Sequence, residues 1–93
     1  MTLDDAYELV LEAIASARAK HGTSMEESPF DRKAVILMEE AGEVAMAVND
    51  WDHAPFEDKK RDCVYTKEMA IEEMKEELAQ VAATAMRWLT VFE

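Results

Sequence analysis

The residues of this 93-residue sequence best suited to chemistry are carboxylates set where carboxylates are costly. On a helical wheel of about 100° per residue, Glu40 and Glu43 fall within about 60° of each other, with Ile36 and Ala47 between them in angle. Two acids therefore interrupt a core-style stripe. Glu39 flanks it, while Leu37, Ala41, Val44 and Val48 carry the apolar arc onward from the Glu40 side. A second face, formed by Ala70, Glu73, Glu77, Gln80, Thr84 and Trp88, is bordered by Met74 and Val81 on one side and by Glu76 and Arg87 on the other. Two acidic stripes on two helices can face each other. Half-burying several carboxylates without matched cations costs several kcal/mol each, since desolvation and like charge both oppose ionisation. Mg²⁺, with Mn²⁺ as the alternative, is held by carboxylate oxygens, keeps several waters and recruits phosphates. The competing reading is a pair of solvated Glu-rich helix faces, since Glu is a strong helix former.

The elements that must position these residues are helical. Leu3, Tyr7, Val10, Leu11, Ile14 and Ala17 keep one face, Thr2 and Asp5 form an N-terminal cap, and the first helix should end near Gly22. After a short polar segment from Gly22 to Ser28, Ser28-Pro29 reads as N-cap and first-turn proline of a second helix running from about Pro29 to Val48. Asn49-Asp50 and then Pro55 signal its end, with Trp51 and His53 folding back on it. Phe56, Cys63 and Val64 have helical spacing around a polar run and read as a short helix, a loop being the alternative. Thr66 caps a final helix from Lys67 to about Phe92. The expectation is one all-α domain over residues 1–93, a small antiparallel four-helix bundle of three long helices and one short one. At this size a chain buries little alone, so its helices are expected to pack across a homo-oligomer interface, most simply a two-fold one.

Composition narrows the function. Ten Lys plus Arg against 21 Asp plus Glu leave a net charge of −11, which removes the electrostatic term that drives binding to nucleic-acid backbone or anionic lipid. A phosphate ligand needs a cation as mediator. The lone Cys63 excludes an internal disulfide framework and a thiolate zinc cage. With no signal-like N-terminus and no apolar run near 18 residues, the expected location is the cytosol.

Glu39-Glu40-Ala41-Gly42-Glu43-Val44, followed by Glu76-Glu77-Leu78-Ala79-Gln80-Val81, resembles the MazG-like all-α nucleoside triphosphate pyrophosphohydrolases. Their mark is E-x-x-E on one helix and E-x-x-D on a later one, and the resemblance spans Pro29 to Trp88. It implies Mg²⁺-dependent hydrolysis between the α and β phosphates of a (deoxy)nucleoside triphosphate, releasing monophosphate and pyrophosphate. It assigns Glu40 and Glu43 to the first pair of metal ligands and Glu77 to the first acid of the second pair, and lets Glu39 orient or deprotonate the attacking water. It also implies a dimer or a dimer of dimers with sites at the subunit seams. Gln80 departs from the pattern: it stands where the family has Asp, and its amide oxygen can ligate Mg²⁺ but brings no charge. The alternative function is accordingly a non-catalytic helical regulatory or dimerisation module that retains the fold.

Around this set, Lys59 and Lys60, with Arg61, can reach phosphates or form a solvated face. Arg87 can bind phosphate or pair with a Glu of a neighbouring helix. Trp88 and Trp51 can stack on a base or pack in a core, and Asn49 can touch the substrate or cap its helix. Thr84 can bond a ligand or its own helix, His21 suits a helix C-terminus, and Cys63 reads as a buried small residue.

Overall fold

A computed structural model describes residues 1–92 as four helices and one hairpin: α1 Leu3–His21, α2 Ser24–Glu27, α3 Phe30–His53, β1 Phe56–Asp58, β2 Cys63–Tyr65 and α4 Lys67–Leu89. The fold is mostly helical, in keeping with the all-α expectation. Both threonine caps form. The Thr2 hydroxyl accepts from the Asp5 N–H while the Asp5 carboxylate accepts from the Thr2 N–H, a reciprocal capping box. Thr66 Oγ1 accepts from the Met69 N–H at the start of α4.

Helix α4 is the hub, packing most extensively on α3, then on α1, and touching α2. Small residues set these approaches. Ala13 of α1 meets Ala79 and Ala83 of α4, with Leu9, Val10 and Ile14 packed around them. At the other end Ala54, Tyr65 and Ala70 form a second cluster with Phe56 and Met69. No large side chain among the described residues is fully enclosed.

Three expectations are corrected. Segment 56–64 is no short helix: β1 pairs antiparallel with β2 in the register Phe56↔Tyr65, Glu57↔Val64 and Asp58↔Cys63. Its turn is organised by Asp58, whose Oδ1 accepts from the N–H groups of Lys60 and Arg61, and Asp62 takes a left-handed φ of 52°. Phe56 and Tyr65 stack with centroids 4.7 Å apart, a cross-strand pair that anchors the hairpin. The short helix lies instead at α2, within the polar segment before Ser28. Helix α3 begins with Pro29 rather than Ser28 as its N-cap and continues through Asn49, Trp51 and His53, so none of these folds back on its end, and its C-cap is Ala54. Cys63 is exposed beside the hairpin turn rather than buried.

Candidate metal centre

Helix α3 supplies Glu40 and Glu43, and α4, its most extensive packing partner, supplies Glu77. One carboxylate oxygen of each lies within 4.8 Å of the others. Glu43 is exposed, whereas Glu40 and Glu77 are half-buried, at the boundary the apolar stripe marks. Three like charges this close disturb one another. Burial, then a hydrogen bond with Glu43 and the charges of Glu43, Glu40 and Glu76, pushes the Glu77 carboxyl up to about 7. Burial, followed by the charges of Glu43 and Glu39, also raises Glu40. Glu77 Oε2 is buried without a hydrogen-bond partner among the described residues. A carboxylate with one orphaned oxygen, set beside two further acids, fits a hard divalent cation, which would cancel the repulsion.

Glu39 is exposed and outside this trio, yet close enough for its charge to raise Glu40. Gln80 shares with Glu40 the wall of a groove of ≈ 390 Å³ between α1, α3 and α4.

The other candidates scatter. Lys59 and Lys60 sit in the hairpin turn and line a separate depression of ≈ 380 Å³ with Asp50, Tyr65 and Glu73, away from the groove that Glu40 lines. There the Tyr65 hydroxyl donates to Glu73 at 2.8 Å, and Arg61 also pairs with Glu73. Arg87 lines the groove, but its buried guanidinium is taken by Glu26 at 2.6 Å, and Glu26 also holds Arg18 at 3.2 Å. Of the two roles open to Arg87, the structure shows the ion pair. Burial pushes the Glu26 carboxyl upward, but the hydrogen bonds from Arg87, from its own backbone N–H and from Arg18, with the Arg87 charge, together outweigh it and hold the group below its usual value. The Trp88 ring lies 6.2 Å from Phe30, tilted against it at the α3 start. Trp51 is covered by the Lys67 ammonium 4.2 Å from its centroid. Asn49 is exposed within α3, its carbonyl bonded to His53 Nδ1 at 2.8 Å, so it is not the cap. Thr84 is buried in the groove floor.

Sequence reasoning missed Lys20 and Arg32, which line the same groove as Glu40, as does His21, assigned only to its helix terminus. Lys20 ends α1 and Arg32 begins α3; no spacing along the chain links them, and only the packing of both helices on α4 does.

No helix among the described residues is long and apolar enough to cross a membrane. Comparisons with family models, curated proteins and solved structures give no match, so the MazG-like resemblance is carried by the motif residues of the sequence alone.

Proposed function

We propose that the chain is a Mg²⁺-dependent nucleoside triphosphate pyrophosphohydrolase of the MazG-like kind, acting in the cytosol. The observation that carries this reading is the convergence of Glu40, Glu43 and Glu77 from two helices, with one buried Glu77 oxygen left unsatisfied. Mg²⁺ bound there, or Mn²⁺ in its place, would neutralise the phosphates and lower the pKa of a bound water. The chain's own contribution is a concentrated negative charge that selects a hard cation, and a neutral amide, Gln80, where a fourth acid would deepen the repulsion. In this reading Glu39, exposed next to Glu40 in sequence, would accept the proton of the attacking water. That water oxygen bonds to the α-phosphorus, the α–β anhydride bond breaks, and pyrophosphate leaves with the bridging oxygen.

The testing experiment is a panel of ribo- and deoxyribonucleoside triphosphates assayed for pyrophosphate release with Mg²⁺. At least one should yield monophosphate and pyrophosphate in equal amounts, and EDTA should stop the reaction. No release from any of them, with a melting midpoint still raised by Mg²⁺, would leave the regulatory-module reading.

The same reading includes self-association, for which the surface supplies the support. The accessible area is 6673 Å², against about 5,500 Å² for a monomer of this mass. The radius of gyration is 15.0 Å, against about 12 Å for a compact domain of this length. The excess of about 1,200 Å² exceeds the roughly 800 Å² per partner that a standard interface buries. On α3, Val35, Met38, Gly42 and Met46 share an exposed face beside Glu39. A Cβ at Gly42 would meet nothing within 4 Å, so a mid-helix glycine costing about 1 kcal/mol has no reason within one chain. Close approach of a second copy of α3 supplies one.

A further inference from the structure

The groove that Glu40 lines is cationic in a strongly acidic chain. Among the described residues its walls carry Lys20, Arg32 and Arg87, with His21 beside them, and Glu40 as the one acid, while the whole chain has 21 acids to 10 Lys plus Arg. Most basic side chains elsewhere are engaged: Arg61 by Asp58 and Glu73, Lys75 by Glu72, Lys67 by Trp51, and Lys33 by the Ser28 carbonyl. Arg87 is matched by Glu26. Lys20 and Arg32 have no ion pair among the described residues.

The helix dipole accounts for Lys20 and His21, which lie in the last turn of α1, where positive charge is favoured. It does not account for Arg32. That residue is in the first turn of α3, where the dipole opposes a cation; Asp31 beside it accepts from its backbone N–H, but the guanidinium itself makes no ion pair among the described residues. The groove's ≈ 390 Å³ lies within the range of small-ligand clefts. Its floor carries the buried Thr84 hydroxyl, and its rim Ser16 and Ser24.

We propose that Lys20, His21 and Arg32 form a phosphate-binding end of this groove, seating the part of a polyphosphate that extends beyond the Glu40 end. Naming the occupant as the pyrophosphate portion of a nucleoside triphosphate rests on the pyrophosphohydrolase reading; the anion-binding character of the groove does not. The guanidinium of Arg32 offers a planar fork matched to two phosphate oxygens, and Lys20 adds a point charge.

The probe is inorganic pyrophosphate, titrated into ¹⁵N-labelled protein in low-salt, metal-free buffer containing EDTA. Amide shifts should concentrate around Lys20–Ser24 and Arg32–Ile36. The affinity should fall about tenfold in Lys20→Gln and in Arg32→Gln, since each removes a charge-assisted bond. Arg32→Lys should recover part of the loss, and Lys75→Gln, outside the groove, should behave as wild type. Both cations are exposed, so unchanged melting midpoints will show that the variants fold. Shifts centred on Lys59–Arg61, or an affinity indifferent to Lys20 and Arg32, would overturn the proposal. A second titration with Mg²⁺ separates it from the metal reading. Loss of the Mg²⁺ effect in Glu43→Gln with the Arg32 dependence intact supports the phosphate end; pyrophosphate that binds only with Mg²⁺ and ignores Arg32 contradicts it.

Discussion

Glu77→Gln should make the metal-free protein more stable at neutral and alkaline pH. The substitution keeps the shape of the side chain and removes its charge from beside Glu40 and Glu43. The wild-type carboxyl is raised from 4.5 to about 7 by folding, so the folded state holds this proton more tightly than the unfolded chain does. The associated stability is fully present below about pH 4.5 and is lost as pH rises to about 7. At about 1.4 kcal/mol per pKa unit the ceiling is roughly 3 kcal/mol. Solvent screening at a half-buried group reduces this to about 1–2 kcal/mol. In a domain of this size that corresponds to a midpoint difference of roughly 5–10 °C. Thermal melts of both proteins, followed by far-ultraviolet circular dichroism in EDTA between pH 4.5 and 8, measure it. The curves should meet near pH 4.5 and separate above it, with the variant higher. Parallel curves, or a variant less stable at pH 8, would refute the claim that these carboxylates repel one another in the folded protein.

Other expectations follow from groups outside the trio. Glu26→Gln leaves the buried Arg87 guanidinium without its counter-charge and should cost about 3 kcal/mol in urea unfolding; a loss under 1 kcal/mol would show the pair to be incidental. Because folding lowers the Glu26 pKa, this contribution is present above about pH 4.5 and fades as pH falls below it. Tyr65→Phe removes the 2.8 Å bond to Glu73 and should cost about 1 kcal/mol. Since burial and then that bond push the Tyr65 hydroxyl up to about 12, the last tyrosinate absorbance to appear in an alkaline titration should vanish with it. Sedimentation equilibrium at micromolar concentration should give a dimer or larger, and Met38→Lys should shift it toward monomer; a wild-type monomer would remove the self-association reading.

The three long helices, and the starts of α1 and α4, were legible because their signals are local. Thr2 and Thr66 are read by backbone N–H groups three residues away. Glu77 was singled out of the acidic α4 face only by the motif resemblance, whereas Glu40 and Glu43 were legible because they interrupt an apolar stripe, a conflict visible on one helix. The hairpin was not, since its strands have three residues each and Phe56, Cys63 and Val64 also fit a helical period. What makes it a hairpin is the Asp58 turn and the Phe56–Tyr65 stack. That turn carries Lys59 and Lys60 away from the groove. The Arg87–Glu26 pair joins residues 61 positions apart, and the cationic groove wall assembles from the end of α1 and the start of α3. Neither leaves a periodic trace.

Titration of Mn²⁺ followed by electron paramagnetic resonance, which distinguishes free from bound ion, tests the central claim most directly. Wild type should bind Mn²⁺ in competition with Mg²⁺. Glu40→Gln, Glu43→Gln and Glu77→Gln should each weaken binding at least tenfold, while Glu72→Gln, on α4 but outside the trio, should not. Binding equal in wild type and all three trio variants, or none in wild type, would contradict a metal centre built from these side chains.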